Sequence, residues 1–338
     1  MRVLLTGHQG YLGSVMTPIL AEAGHQVVGL DSGLFADCIL GPEPETIEAH
    51  TVDLRDAGPE HVAGCDAVIH LAALSNDPLG ALAPDLTYDI NHHASVRLAR
   101  LAKEAGVRRF LYASTCSVYG ASGGGDLLDE EAPLRPVTPY AESKVRVEDD
   151  LADLADDDFT PVFLRNATAF GFSPRLRADI VLNNLVGHAF LTGEVRVLSD
   201  GSPWRPLVHA RDIADAFAAV LVAPREAVHA TAFNVGTEVN NVTVAEIAAE
   251  VVAAVPGSTL AITGETGADP RSYRVDFSRI RAALGYEARW TVKAGAVELI
   301  DAYREYGLTK QDFERRFTRL ARLADRRAAG TVDDTLRP

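Results

Sequence analysis

Short apolar runs alternate with stretches of helical period through roughly the first half of the chain. Met1-Arg-Val-Leu-Leu-Thr6 reads as a buried parallel strand. Val15, Ile19 and Leu20 follow at helical spacing, and Val27-Val-Gly-Leu-Asp31 is a second apolar strand. Phe159-Thr-Pro-Val-Phe-Leu-Arg165 is a later member of the same series. Strands alternating with helices up to about residue 165 predict an α/β fold with a doubly wound parallel sheet of the Rossmann type. Gly41-Pro-Glu-Pro predicts a loop, Ala121-Ser-Gly-Gly-Gly125 a flexible segment, and Pro133 to Pro139 a rigid approach to a helix with Pro139 in its first turn. Beyond residue 165 the elements shorten, and no internal repeat is present. Phe313 to Arg327 predicts one amphipathic basic helix with Phe313, Phe317, Leu320 and Leu323 on its stripe, either packed on the body or at a subunit contact. Thr331 to Pro338 is expected to be a disordered tail.

The chemistry begins in the turn after the first strand. Gly7-His-Gln-Gly10-Tyr-Leu-Gly13 spaces its glycines Gly-x-x-Gly-x-x-Gly, a variant of the dinucleotide fingerprint. Gly7 permits the tight turn, Gly10 lets a pyrophosphate approach the backbone, and Gly13 lets the helix pack close to the strand. The helix N-terminus then offers free N–H groups and a favourable dipole to an anion. Asp31, ending the second strand, stands where a ribose-binding carboxylate is expected. It accepts from the adenosine ribose hydroxyls and repels a 2′-phosphate, which favours NAD over NADP. The alternative for Asp31 is a helix N-cap or turn.

Tyr140-Ala-Glu-Ser-Lys144 places a phenol and an ammonium one helical turn apart on one face. Nearby positive charge favours the phenolate, which is a general base for a sugar hydroxyl. Upstream lies Ala113-Ser-Thr-Cys-Ser-Val-Tyr-Gly120, in which Ser114 or Thr115 offers a hydroxyl to the same oxygen.

Together these segments resemble the extended short-chain dehydrogenase/reductases, in their NAD-dependent nucleotide-sugar epimerase/dehydratase group, from Met1 to about Leu284. The resemblance implies an NAD-binding Rossmann domain over residues 1–165, to which residues 207–236 return, with Ala210 to Val222 as a helix. A smaller, discontinuous substrate-binding lobe would occupy residues 166–330. It implies cofactor contacts from Gly7, Gly10, Tyr11, Leu12, Gly13 and Asp31, and from Asp53 and Leu54. The run Ile69-His-Leu-Ala-Ala73 is similar to the family's fourth strand, so Leu71, Ala72 and Ala73 would lie under the cofactor. Asn91, Ser114, Tyr140 and Lys144 complete that set. Phe110-Leu-Tyr-Ala-Ser114 reads as the strand that delivers Thr115 to the site.

For the substrate, a nucleotide-diphosphate sugar, the resemblance implies Ser75, Asn76, Thr115, Thr168, Asn183, Arg205 and Arg271. Thr168 stands where the family carries an Asn, and a hydroxyl reaches less far than an amide. Arg205 and Arg271 suit a diphosphate because a planar guanidinium meets its oxygens two at a time. Ser75 stands where some members carry a lysine or a glutamate-serine pair.

One departure bears on the reaction. The family's 4,6-dehydratases carry an Asp-Glu pair after the catalytic Thr, and here those places are Cys116 and Ser117. The family's 4-epimerases usually have small uncharged residues there. The reading is therefore an NAD-dependent epimerase acting at C4 through a transient 4-keto sugar, with Tyr140 as base, Lys144 as its cation and Thr115 as hydrogen-bond donor. Cys116 is either a small buried residue or a thiol acid/base beside the sugar. The alternatives are a dehydratase, a ketoreductase or dehydrogenase, and a non-catalytic dinucleotide sensor.

The balance of 32 basic against 47 acidic residues, a net −15, argues against nucleic acid as a partner. A local arginine cluster can still hold a diphosphate. Cys38, Cys65 and Cys116 show neither metal-ligand spacing nor a disulfide framework, which points to a reducing cytoplasm and no metal. Met1 leads straight into a core strand, so no signal peptide is expected, and no apolar run is long enough for a membrane. Relatives often pair two helices from each subunit, here near Asn91–Glu104 and Tyr140–Leu154, so a homodimer is expected.

Overall fold

The computed structural model describes residues 1–75, 83–121, 125, 127–265 and 271–337. Asn76 and residues 122–124 of the glycine segment lie outside the described residues.

Seven strands form the central sheet: β1 (Arg2–Thr6), β2 (Gln26–Asp31), β3 (Glu48–Thr51), β4 (Ala67–His70), β5 (Arg109–Thr115), β6 (Thr160–Asn166) and β7 (Thr231–Val235). Their order is β7-β6-β5-β4-β1-β2-β3, and every pairing is parallel. The order reverses between β1 and β4, which opens a crevice beyond their carboxyl ends where ligands of open α/β sheets bind.

The pleat explains the continuous apolar runs, because both faces are covered. Val3 and Leu5 face one core with helices α1 (Tyr11–Glu22) and α4 (Ala210–Val222). Leu4 faces the other, with α2 (Ala94–Glu104) and α3 (Pro139–Asp153). Thr138 caps α3 by accepting from the Ala141 N–H at 3.2 Å, and Pro139 opens the helix.

A second core, which with its strands forms the smaller lobe, is built from helices Val181–Thr192, Val244–Ala254 and Val292–Glu305. Its three-stranded sheet, Thr168–Phe170, Trp204–His209 and Asn241–Thr243, stands beside the mouth of the crevice.

The C-terminal segment departs from expectation twice. Residues 313–327 are not one helix. A π turn (Asp312–Arg316) buries Phe313 and Phe317 in the lobe core, the chain breaks at Thr318, and α5 (Arg319–Ala328) begins anew. Residues 331–337 do not fray: Val332 and Leu336 are buried with Leu34, Leu74 and Leu323. Two apolar side chains at the right spacing anchor the tail more firmly than its polar composition suggests.

Candidate active site

The carboxyl ends of β1, β2, β4 and β5 open into one cleft of about 880 Å³. Such a volume is near the upper end of the roughly 300–1,000 Å³ of small-ligand sites.

The dinucleotide half is built on the turn between β1 and α1. Gly7 has φ +74°, and a Cβ there would meet the Ala72 backbone nitrogen at 2.9 Å. A Cβ on Gly13 would lie 2.2 Å from the Gly7 carbonyl oxygen. Both positions require glycine, one for conformation and one for close packing. Gly10, Tyr11 and Leu12 line the cleft at the start of α1, whose first turn holds no acid to oppose an incoming anion. Asp31 lines the wall and ties two loops together, accepting from the Gln9 N–H at 3.1 Å and the Gly33 N–H at 2.9 Å. A carboxylate has lone pairs left for ribose hydroxyls. Asp53 and Leu54 lie on the same wall. Burial raises the Asp53 carboxyl, but hydrogen bonds from Arg55 outweigh it and hold the group below its usual range. Leu71, Ala72 and Ala73 form the floor.

A buried polar chain holds that floor. The Thr6 hydroxyl lies 2.6 Å from His70 Nδ1, and His70 Nε2 lies 2.7 Å from the Ser95 hydroxyl. Burial pushes His70 down to about 3, so the ring is neutral. Asn91 sits in a π turn, Asp89–His93, and does not reach the cleft wall. Its carboxamide accepts from the Leu74 N–H at 2.7 Å and donates to the Leu74 carbonyl and the Ser143 hydroxyl. The expected cofactor contact is thus a positioning residue that clips the β4 loop to α3.

The reactive centre lies where β5 meets α3. Tyr140, Lys144, Thr115 and Ser114 all line the cleft. Lys144 Nζ donates to the Ala113 carbonyl at 2.7 Å and stands 5.8 Å from the Tyr140 ring centroid and 4.6 Å from that of Tyr112. Burial pushes its ammonium down to about 7, with Glu148 opposing. The Thr115 oxygen accepts from the Ser117 N–H at 3.1 Å, which leaves its own proton to donate. The Ser114 hydroxyl is committed to Glu148. Glu148 in turn takes Arg165 Nη2 at 2.6 Å, a buried ion pair that locks α3 to β6.

Besides Asn91, two further expected site residues are not among those lining the cleft. Cys116 is buried in the core, its thiol donates to the Arg165 carbonyl at 3.0 Å, and burial pushes its pKa up. It is a packing residue because the strand turns inward as it enters the short helix Cys116–Tyr119. Asn183 is 0% exposed, and its amide is spent on Gly171 and Arg177 backbone atoms and the Tyr11 hydroxyl. It joins the two lobes and is not a substrate contact.

On the sugar and diphosphate side, Ser75, Thr168, Arg205 and Arg271 line the cleft, and the Arg205 guanidinium donates to the Arg271 carbonyl. Arg177 and Arg319 were missed by sequence reasoning. Arg177 is paired with Asp179 at 3.0 Å and donates to the Ser75 hydroxyl at 2.9 Å. Its signal was the run Ser173-Pro-Arg-Leu-Arg177-Ala-Asp179 after Gly171. Among the described residues, the lining carries five cations (Lys144, Arg177, Arg205, Arg271, Arg319) against three acids (Asp31, Asp53, Asp179). The cleft is locally positive within a chain of net charge −15.

The residues present fit NAD: a glycine turn closed to any Cβ, an acid-free helix start, a ribose-ready Asp31, and a buried guanidinium nitrogen of Arg319 with no acceptor. Comparison with known proteins agrees. Residues 3–236 match the model of the NAD dependent epimerase/dehydratase family. A UDP-glucose 4-epimerase of Mycolicibacterium smegmatis is 30% identical over 317 residues, covering 90% of this chain and 99% of the relative. The structure titled MoeE5 in complex with UDP-glucose and NAD superposes with a TM-score of 0.75 at 27% identity, covering 90% of this chain and 99% of that one. A 5,6-dehydratase, TunA, shares the fold with a TM-score of 0.80 at 22% identity, over 90% and 98% of the two chains. The chain belongs to the NAD dependent epimerase/dehydratase family and is an NAD-dependent enzyme.

Proposed function

We propose that this protein is a nucleotide-sugar 4-epimerase whose substrate is a UDP-hexose. The observation that carries the reading is the convergence of Tyr140, Lys144 and Thr115 on one cleft, with no carboxylate at positions 116 and 117 to drive loss of water. The substrate class draws support from the relatives, several of which are UDP-glucose 4-epimerases.

Bound NAD supplies reversible hydride acceptance at the sugar carbon. The chain supplies the rest. Tyr140 takes the proton of the C4 hydroxyl and later returns one to the same C4 oxygen, after the sugar has turned to present the opposite face of that carbon. Lys144 holds that phenolate by charge while the Ala113 carbonyl fixes its ammonium. Thr115 donates to the same sugar oxygen. Arg205, Arg271 and Arg177 hold the diphosphate end. Gripping the nucleotide and not the hexose leaves the sugar free to present either face, which an epimerase needs.

Incubation with UDP-glucose and UDP-galactose is expected to yield an isomer of unchanged mass with no net NADH. A product lighter by one water would instead mark a dehydratase, and stoichiometric NADH a dehydrogenase. A homodimer paired through α2 and α3 and a reducing cytoplasmic setting belong to the same proposal. The three buried free thiols support the second, and sedimentation reads the first. No helix among the described residues is long and apolar enough to cross a membrane.

A further inference from the structure

The segment from Asp312 onward leaves the smaller lobe and returns to the dinucleotide half. Arg316 donates to the carbonyls of Asp37 and Ile39 at 3.0 and 2.7 Å. Arg322 pairs with Asp37, and Arg326 donates to the Leu34 carbonyl. Arg55 donates to the Thr335 carbonyl at 2.9 Å, and Arg337 pairs with Asp56. Leu336 and Val332 pack under Leu34 and Leu74. The tail therefore fastens the loop after β2 to the loop after β3, the two that flank Asp31 and Asp53.

Its first turn reaches the cleft itself. Thr318, Arg319 and Leu320 line the wall at the N-terminus of the ten-residue α5, where the helix dipole is positive. Arg319 is only 5% exposed. Its guanidinium stacks 4.7 Å over the Phe35 ring and donates once, to the Arg175 carbonyl at 3.3 Å, while Nη1 has no partner. Arg175 behind it is also buried, with Nε and Nη1 unpartnered and its one carboxylate, Glu43, 3.9 Å away. Two buried guanidiniums with orphan donors are costly unless an anion enters beside them. Arg319 shares this wall with Leu34 and Phe35, and Tyr11 at the start of α1 lines the same cleft. The anion that belongs between an adenosine wall and that helix start is a dinucleotide diphosphate.

We propose that Arg319 binds the diphosphate of NAD, so that the C-terminal segment is a clasp whose docking and cofactor binding reinforce each other. This rests on NAD as the family's cofactor. Because coupling between sites is reciprocal, a docked tail raises NAD affinity and bound NAD protects the tail.

The test is calorimetric titration of the full chain and of Arg319→Gln with NAD, ADP-ribose and adenosine. Loss of a charge-assisted contact is expected to weaken NAD and ADP-ribose about tenfold to a hundredfold while adenosine binds both proteins alike. Equal NAD affinity in the two proteins would overturn the inference and leave NAD binding by the unmodified chain standing. Equal weakening of adenosine would overturn the diphosphate contact. Hydrogen exchange on the unmodified chain is a second measure that survives a variant that fails to fold. Saturating NAD should slow exchange across residues 319–337, and unchanged exchange there refutes the clasp.

Discussion

The two halves of the cleft are assembled in opposite ways. In the dinucleotide half, a contiguous turn, Gly7 to Gly13, makes most of the anion site from backbone, and its glycines are required by local geometry. In the substrate half, Thr168, Arg177, Arg205 and Arg271 arrive from four separate segments and act through side chains. A backbone site tolerates little change but is repeated wherever the turn recurs. A side-chain site can be re-specified by single substitutions, so the half proposed to select the sugar is the one that can change without disturbing the fold. Between them, α3 serves both, and its orientation is held by the Glu148–Arg165 pair and the Asn91 clip.

Substitutions at the junction should have the largest effects. Tyr140→Phe is expected to lower turnover about 100- to 10,000-fold with NAD affinity kept, read by coupled assay and calorimetry. A catalytically silent substitution would show that the two halves do not meet at this phenol. The pH dependence follows from Lys144. Burial pushes Lys144 down to about 7, so the Tyr140–Lys144 pair is expected to shed one of its two protons near that pH and leave phenolate beside ammonium; below it both groups are protonated and the pair cannot act as base. The ratio kcat/KM should therefore fall as pH drops below about 7. Lys144→Met should remove that step and leave a weak activity that climbs toward the phenol range near pH ~10.

Next in size is the scaffold of α3. Glu148→Ala leaves the Arg165 charge buried and unpaired, so urea unfolding should show a loss of about 3–5 kcal/mol. Little change would mean that Ser114 and Lys144 need no such anchor.

Arg205→Ala and Arg271→Ala test the independence of the halves. Each should raise KM for the nucleotide sugar about tenfold to a hundredfold while NAD affinity stays put. A matching loss of NAD affinity would merge the two halves into one site.

The smallest effect is expected at Cys116. Cys116→Ala removes a buried hydrogen bond at a cost of about 1 kcal/mol in stability and should leave kcat unchanged. A collapse in kcat would restore the thiol to the chemistry.

The strand–helix rhythm, the glycine turn and the Tyr140–Lys144 spacing were legible because each is a local property. Side-chain period and i,i+4 geometry act within a few residues, so Pro139 could be placed at a helix start from the chain alone, while the Ala210–Val222 helix followed from the family resemblance. Asn183 and Cys116 were misplaced for a common reason. Both sit one residue class away from the cleft, and which way a buried polar group turns is decided by the backbone groups that packing leaves without partners. The break at Thr318 was hidden because Phe313, Phe317 and Leu323 keep helical spacing while facing two different cores.

By itself, then, the sequence determined the sheet, the glycine turn and the pairing of Tyr140 with Lys144 on one helix face, since those depend on neighbours along the chain. The tertiary structure alone decided that Arg177 fills the place opposite Ser75 and that Arg319 closes the wall beside Phe35. Arg177 lies 102 positions from Ser75 and Arg319 lies 144 from Arg175, and only the folded packing of distant segments brings such charges together.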